Sequence, residues 1–192
     1  IKNKQGRVHR LQSLGLTVYL SEPRTLEDVA SSIERLGRLA GTQAAAQRAS
    51  RDFRDRLTAL RRRYAGRPPV RVFYEVWNRP LMTVNGDHLI SRVIRLCGGR
   101  NVFADLPVLA GQVSVEAVLA ADPDAIVASG SGGARPPWLD DWQRWADLTV
   151  VRAHNLFFIP PDIIQRNTPR ILEGAERLCG QLDTAREHLR GK

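Results

Sequence analysis

Two stretches of the sequence gather side chains with binding chemistry. "EVWNRPLMTVNG" sets Trp77, Asn78, Arg79 and Met82 just after one strand pattern, and "IPPDIIQRNTPR" sets Asp162, Gln165, Arg166 and Arg170 just after another. Ligands of open α/β sheets lie outside the carboxyl ends of the strands. Aromatic, carboxylate and guanidinium groups at those ends suit capture of a large amphipathic small molecule better than bond-breaking. Each residue also has a plain structural role open to it. Trp77 fits equally as a tryptophan at a core edge, Asp162 as a turn residue, and Thr168 with Pro169 as helix cap and first helical residue.

Reaction chemistry finds little footing. Asp140 and Asp141 are adjacent, so on a helix or strand they diverge instead of facing each other as a hydrolytic pair. "SGSGGA" (129–134) follows a strand as phosphate-cradling loops do, but no Gly-Lys-Ser/Thr follows and "RPPW" opens no helix, so it reads as a flexible turn. No nucleophile with base and orienter can be assembled, and the chain reads as a non-enzyme without a cofactor. Two distant cysteines and four scattered histidines (His9, His88, His154, His188) offer no metal-ligand spacing. Cys97 and Cys179 each sit on an apolar helix face; two inert buried thiols and a disulfide are equal readings on that ground.

The 192 residues, 43% of them hydrophobic, are enough for one sizeable core or two small lobes. No run of about 18 apolar residues occurs, so nothing is expected to span a bilayer. "IKNKQGRVHR" has neither the apolar centre nor the cleavage site of a signal peptide, and the chain starts without Met. The formal charge is +9, from 26 Arg and 3 Lys against 20 acids. A basic balance raises nucleic-acid binding as a distant alternative, but the arginines are spread along the chain. Their one cluster, Arg61, Arg62 and Arg63, closes an expected helix, where cations complement the dipole.

The elements that must position these groups follow from periodicity. A basic helical segment ends at Gly15, and "LTVYL" (16–20) reads as a short buried strand. Thr25 can cap a helix with Leu26, Val29, Ala30, Ile33, Leu36 and Ala40 on one face; Gly41 and Thr42 interrupt it. A second helix runs to about Ala65, with Ala49, Phe53, Leu57, Leu60 and Tyr64 as its stripe. Gly66, Pro68 and Pro69 then mark a boundary. Beyond it come a strand at 70–76, helices at about 87–97 and 114–121, a strand at 125–129, a Trp-rich segment, a strand at 156–159 and a helix at about 168–189. Strands separated by helices predict an α/β fold with a mostly parallel sheet flanked by helices. The expected parts are residues 1–24, the end of an amino-terminal α/β lobe; 25–66, a helical connector; and 67–192, a carboxyl-terminal α/β lobe that binds ligand.

Four ordered segments carry a resemblance: "SLGLTVYLSEPRTLEDVASSIERLGRLAG", "RVFYEVWNRPLMTVNGDHLISRVIRLCGGRNVFAD", "QVSVEAVLAADPDAIVASG" and "RNTPRILEGAERLCGQL". Together they resemble the periplasmic substrate-binding proteins of ABC importers that have a helical backbone, and among these the cobalamin binders. The resemblance implies two α/β lobes joined by a rigid helix, ligand held in the cleft between them, and a periplasmic location. It implies that Cys97 and Cys179 form a disulfide, and that Glu116 docks the lobe onto arginines of the membrane permease. It implies that Asp162 and Arg166 face the amide side chains of a corrin ring, with Trp77 near the cleft. Physically, Ser114 can cap the helix and Glu116 suits its positive end, a role compatible with docking. The sequence departs from the pattern at Ala110, where the relatives carry a cleft tryptophan, and at Ile163 and Ile164, which replace an aromatic pair. It also lacks most of the family's first lobe before the point matching Ile1. The function implied is delivery of cobalamin or a related corrinoid to an importer, with a siderophore or haem as alternative cargo.

Overall fold

The computed structural model describes residues 2–130 and 133–191. Helix α1 (Lys2–Ser13) ends as expected at Gly15, which takes a positive φ of 75° and donates its N–H to the Gln12 carbonyl at 2.9 Å. Residues 16–20 do not form the expected strand. Leu16 and Leu20 are 54% and 57% exposed, and no described strand lies alongside to take up the backbone groups of this segment. A β-rich composition makes a strand only where a partner completes the ladder.

Helix α2 (Leu26–Leu39) starts in a capping box. The Thr25 hydroxyl accepts from Asp28 N at 3.0 Å, and the Asp28 carboxylate accepts from Thr25 N at 2.9 Å. Helix α3 (Gln43–Tyr64) returns beside it, pinned by Ser50 Oγ, which donates to the Ala30 carbonyl at 3.1 Å. Its buried stripe is Ala46, Ser50, Phe53, Leu57, Leu60 and Tyr64; Ala49, expected on that stripe, is exposed. Thr42 and Gly41 separate the helices as expected, and Leu36 faces outward at the end of α2.

The second half is built on a parallel sheet. Strand β1 (Val70–Glu75) lies at its centre, flanked by β4 (Gly99–Asn101) and by β6 (Ala125–Ala128), which in turn pairs with β7 (Leu156–Phe158). A second, antiparallel sheet of β2 (Trp77–Asn78), β3 (Leu81–Val84) and β5 (Ala110–Gln112) folds over the end of β1 and was not legible in the periodicity. Helices α4 (Leu89–Leu96), α5 (Val115–Ala121), α6 (Thr149–Arg152), α7 (Pro161–Ile164) and α8 (Ile171–Arg190), with the 3-10 helix Pro137–Arg144, cover the parallel sheet. Helix α8 begins after Arg170, so Thr168 and Pro169 precede it instead of capping it; the Thr168 carbonyl still accepts from Ile171 N.

Two apolar clusters fill the two faces. One joins Val72 and Tyr74 of β1 to α4, α8 and the α2–α3 pair; the other joins Phe73 and Ile126 to Val118, Leu139 and Trp142. Successive β1 side chains thus alternate between clusters, as strand geometry requires. Phe53, Leu57 and Leu60 of α3 belong to the same cluster as α8, so the helical pair and the sheet share one core. The Cys97–Cys179 disulfide lies inside it and ties the end of α4 to α8 across 82 positions of sequence.

Candidate ligand-binding site

The carboxyl ends of β1, β6 and β7 run level. Ser129 N donates to the Glu75 carbonyl at 3.2 Å and Ile159 N to the Ala128 carbonyl at 2.9 Å, so the segments leaving these strands emerge side by side. Trp77 follows β1, is 39% exposed, and fixes its indole by donating Nε1–H to the Arg79 carbonyl at 2.8 Å. Met82 sits opposite it across the β2–β3 ladder. After β7, Asp162 opens α7 and pairs with Arg170 at 2.7 Å, with its side chain 43% exposed. Arg166 is exposed in the turn between α7 and α8, and its carbonyl accepts from Thr168 N at 2.8 Å. The Gln165 amide donates to the Ser129 hydroxyl, a link between the ends of β6 and α7.

Beneath this rim lie two buried titratable groups that sequence reasoning missed. Glu75 is 1% exposed. Burial pushes its carboxyl up to about 8; the Trp142 indole, donating to Oε2 at 2.8 Å, opposes the shift, and the charge of Asp141 adds to it. At neutral pH Glu75 is therefore mostly a neutral acid. Burial also raises the Tyr74 phenol, against the effect of the Ser129 and Gln165 side chains beside it. The available signal for Glu75 was a single acid among the apolar and aromatic residues that follow Arg71 in "VRVFYEV".

A groove of about 1160 Å³ opens between the segment before α2 and the start of α4, with Leu20, Arg24, Asn85, His88, Leu109 and Asn167 among its lining. Trp77, Asp162 and Arg166 do not line it; Asn167, the neighbour of Arg166, does. His88 caps α4: its Nδ1 accepts from Ile90 N at 3.2 Å, which leaves Nε2 to carry the proton. Burial lowers the pKa of this ring, which favours its neutral form.

Glu116 is exposed in the first turn of α5, where Ser114 caps the helix by accepting from Ala117 N at 3.1 Å. Its carboxyl is held below the ordinary range by its own backbone N–H and then by the Ser114 hydroxyl. The helix stops at Asp122, in the left-handed conformation at φ 35°, where its carboxylate accepts from Thr149 N at 2.8 Å and Thr149 Oγ1 at 2.7 Å. Asp140 is held by both Nη groups of Arg135 at 2.7 Å, and Asp141 approaches Arg144 instead, so the two acids diverge. Ser131 and Gly132 of "SGSGGA" lie outside the described residues. Among the described residues no group of His, Cys, Asp and Glu is arranged to hold a metal ion.

Residues 5–163 match the sequence profile of the periplasmic binding proteins. The chain belongs to that family. Within it, the chain is 36% identical over 185 residues to a vitamin B12-binding protein of Vibrio cholerae, covering 96% of this chain and 66% of the relative. It is 34% identical over 187 residues to one from Vibrio parahaemolyticus, with the same coverages. The crystal structure of the vitamin B12-binding protein BtuF of Vibrio cholerae superposes with a TM-score of 0.85 at 35% identity, over 95% of this chain and 71% of that one. A periplasmic heme-binding protein, RhuT from Roseiflexus, shares the fold at 18% identity, with a TM-score of 0.78 over 93% of this chain and 71% of that one. The chain thus spans about two thirds of the length of the curated relatives it matches.

Proposed function

We propose that this chain is the carboxyl-terminal part of a periplasmic substrate-binding protein that captures cobalamin or a related corrinoid and delivers it to an ABC importer. The observation that carries this reading is the 36% identity to a vitamin B12-binding protein across 96% of the chain. The site is in keeping with it. Corrinoids present a broad apolar face with a periphery of amides, and the strand ends offer an indole at Trp77, ionic groups at Asp162 and Arg166, and a groove of about 1160 Å³ nearby. The chain takes the ligand between residues 67–192 and the lobe that residues 1–24 complete, with residues 25–66 as the connector. Glu116, exposed and anionic, meets the permease. The Cys97–Cys179 bridge suits an oxidising compartment, and no described helix is long and apolar enough to cross a membrane.

The experiment is equilibrium dialysis of the purified protein against cyanocobalamin, hemin and a ferric siderophore in parallel, read by absorbance. Retention of cyanocobalamin in preference to the other two is the expected result. Retention of hemin or siderophore alone moves the protein to the other branch of the family.

A further inference from the structure

The excess of positive charge is not absorbed by ligand capture. Part of it converges where the connector meets the sheet half: a second groove, of about 410 Å³, is lined by Arg61, Arg67, Arg92 and Arg95, with Thr25 and Glu27 beside them. We infer that this groove binds a phosphate-bearing anion. Four arginines and one carboxylate are among its lining residues, and that carboxylate, Glu27, is already bonded to Arg61. Cations gathered in one concavity repel one another and raise the local potential, and an oxyanion relieves both.

Helix dipoles account for Arg61 and Arg95, which lie in the last turns of α3 and α4. They do not account for Arg67, in the loop after Gly66, or for Arg92, in the middle of α4. Arg67 is brought against the turn after α4: a Cβ at Gly98 would stand 3.2 Å from its own Cβ. Arg92 forms part of the wall of both grooves, and its Nε–H is buried without an acceptor. Its nearest carboxylate, Asp87, lies 3.9 Å from Nη2 and is almost wholly exposed. A buried donor left unpaired is costly and points to a missing partner. Phosphate oxygens fit the planar fork of arginine, which binds them in pairs.

Such an anion would bridge the connector and the sheet half, so its binding stabilises the fold in proportion to its occupancy. The test is thermal unfolding in sodium pyrophosphate against sodium chloride of matched ionic strength, for the wild type, Arg67→Ala/Arg95→Ala and Arg92→Lys, with flotation on phosphatidylglycerol vesicles in parallel. Arg67 and Arg95 line only the smaller groove, and Arg92→Lys keeps the charge while removing the fork. The expected result is a rise in Tm specific to pyrophosphate, with affinity lowered about tenfold in Arg92→Lys, the loss of one charge-assisted bond, and further in Arg67→Ala/Arg95→Ala, which removes two guanidiniums. Vesicle binding that needs the same arginines supports the site with a lipid headgroup as its source of phosphate. An equal shift in chloride, or responses unchanged in both variants, overturns the proposal. Cobalamin retention is read separately on Arg67→Ala/Arg95→Ala, whose two residues line only the smaller groove, so failure of the anion site and failure of the corrinoid reading are distinguished.

Discussion

The indole of Trp142 donates its N–H to Glu75 at 2.8 Å, across the interface between the 3-10 helix and the central strand. This bond holds a carboxyl that burial has raised to about 8 from an ordinary value of 4.5. Between those two pH values the folded chain keeps a proton that the unfolded chain has released. The stability involved is fully present below pH 4.5 and is lost as pH rises to about 8, at about 1.4 kcal/mol for each pH unit between the two values. Thermal melts should therefore fall across this range. Glu75→Gln keeps an acceptor for Trp142 and should flatten the fall, leaving the melt at pH 4.5 little changed; an unaltered slope would show that Glu75 is not its source.

Reduction of Cys97–Cys179 should lower stability. The bridge spans 82 positions of sequence, and closing a loop of that length is worth about 4 kcal/mol in the chain-entropy account. For a chain of this size the melting temperature should drop on the order of 10 °C. Melts with and without reductant measure it, and two titratable thiols in the native protein would refute the bridge.

Glu116→Ala should weaken docking on the permease while leaving ligand affinity unchanged and melting temperature only slightly lowered, because the side chain is exposed and its helix keeps the Ser114 cap. Transport by the importer reconstituted in vesicles reads this directly. Equal transport by the variant removes Glu116 from the mechanism.

Asp162→Ala with Arg166→Ala should weaken ligand binding at least tenfold, about the loss of one hydrogen bond to a charged group. Asp162 is already engaged by Arg170, so Arg170→Ala tests whether that pair orients the carboxylate for ligand. A moderate loss with Arg170→Ala and a larger one with Asp162→Ala is expected. Unchanged affinity in the double variant moves the site elsewhere.

How far the sequence revealed these features depended on whether the deciding contact was local. Thr25 and Asp28, Ser114 and Ala117, and the halt at Gly15 are contacts within a few residues, and all are visible as caps and stops. The alternation of helices and strands after Pro69 was legible for the same reason. Residues 16–20 misled because a strand requires a partner along its edge, which no short-range pattern supplies. The ladder of β2, β3 and β5 escaped notice because strands of two to four residues are too short to show a period. In α3 the spacing was carried one position astray before Phe53, where the exposed Ala49 gives an apolar signal and the buried Ser50 beside it gives none. The rim residues Trp77, Asp162 and Arg166 were marked by their place after strands, whereas Glu75 and its partner Trp142 stand 67 positions apart and meet only in the folded core.

Binding of a corrinoid at the strand ends is tested most directly by titrating cyanocobalamin into the protein and following tryptophan fluorescence. Trp77, 39% exposed at those ends, is placed to report ligand there. Saturable quenching at one equivalent is expected, weakened in the Asp162→Ala/Arg166→Ala variant and reduced in amplitude in Trp77→Phe. Absence of saturable quenching, or quenching indifferent to these substitutions, would contradict binding at this site.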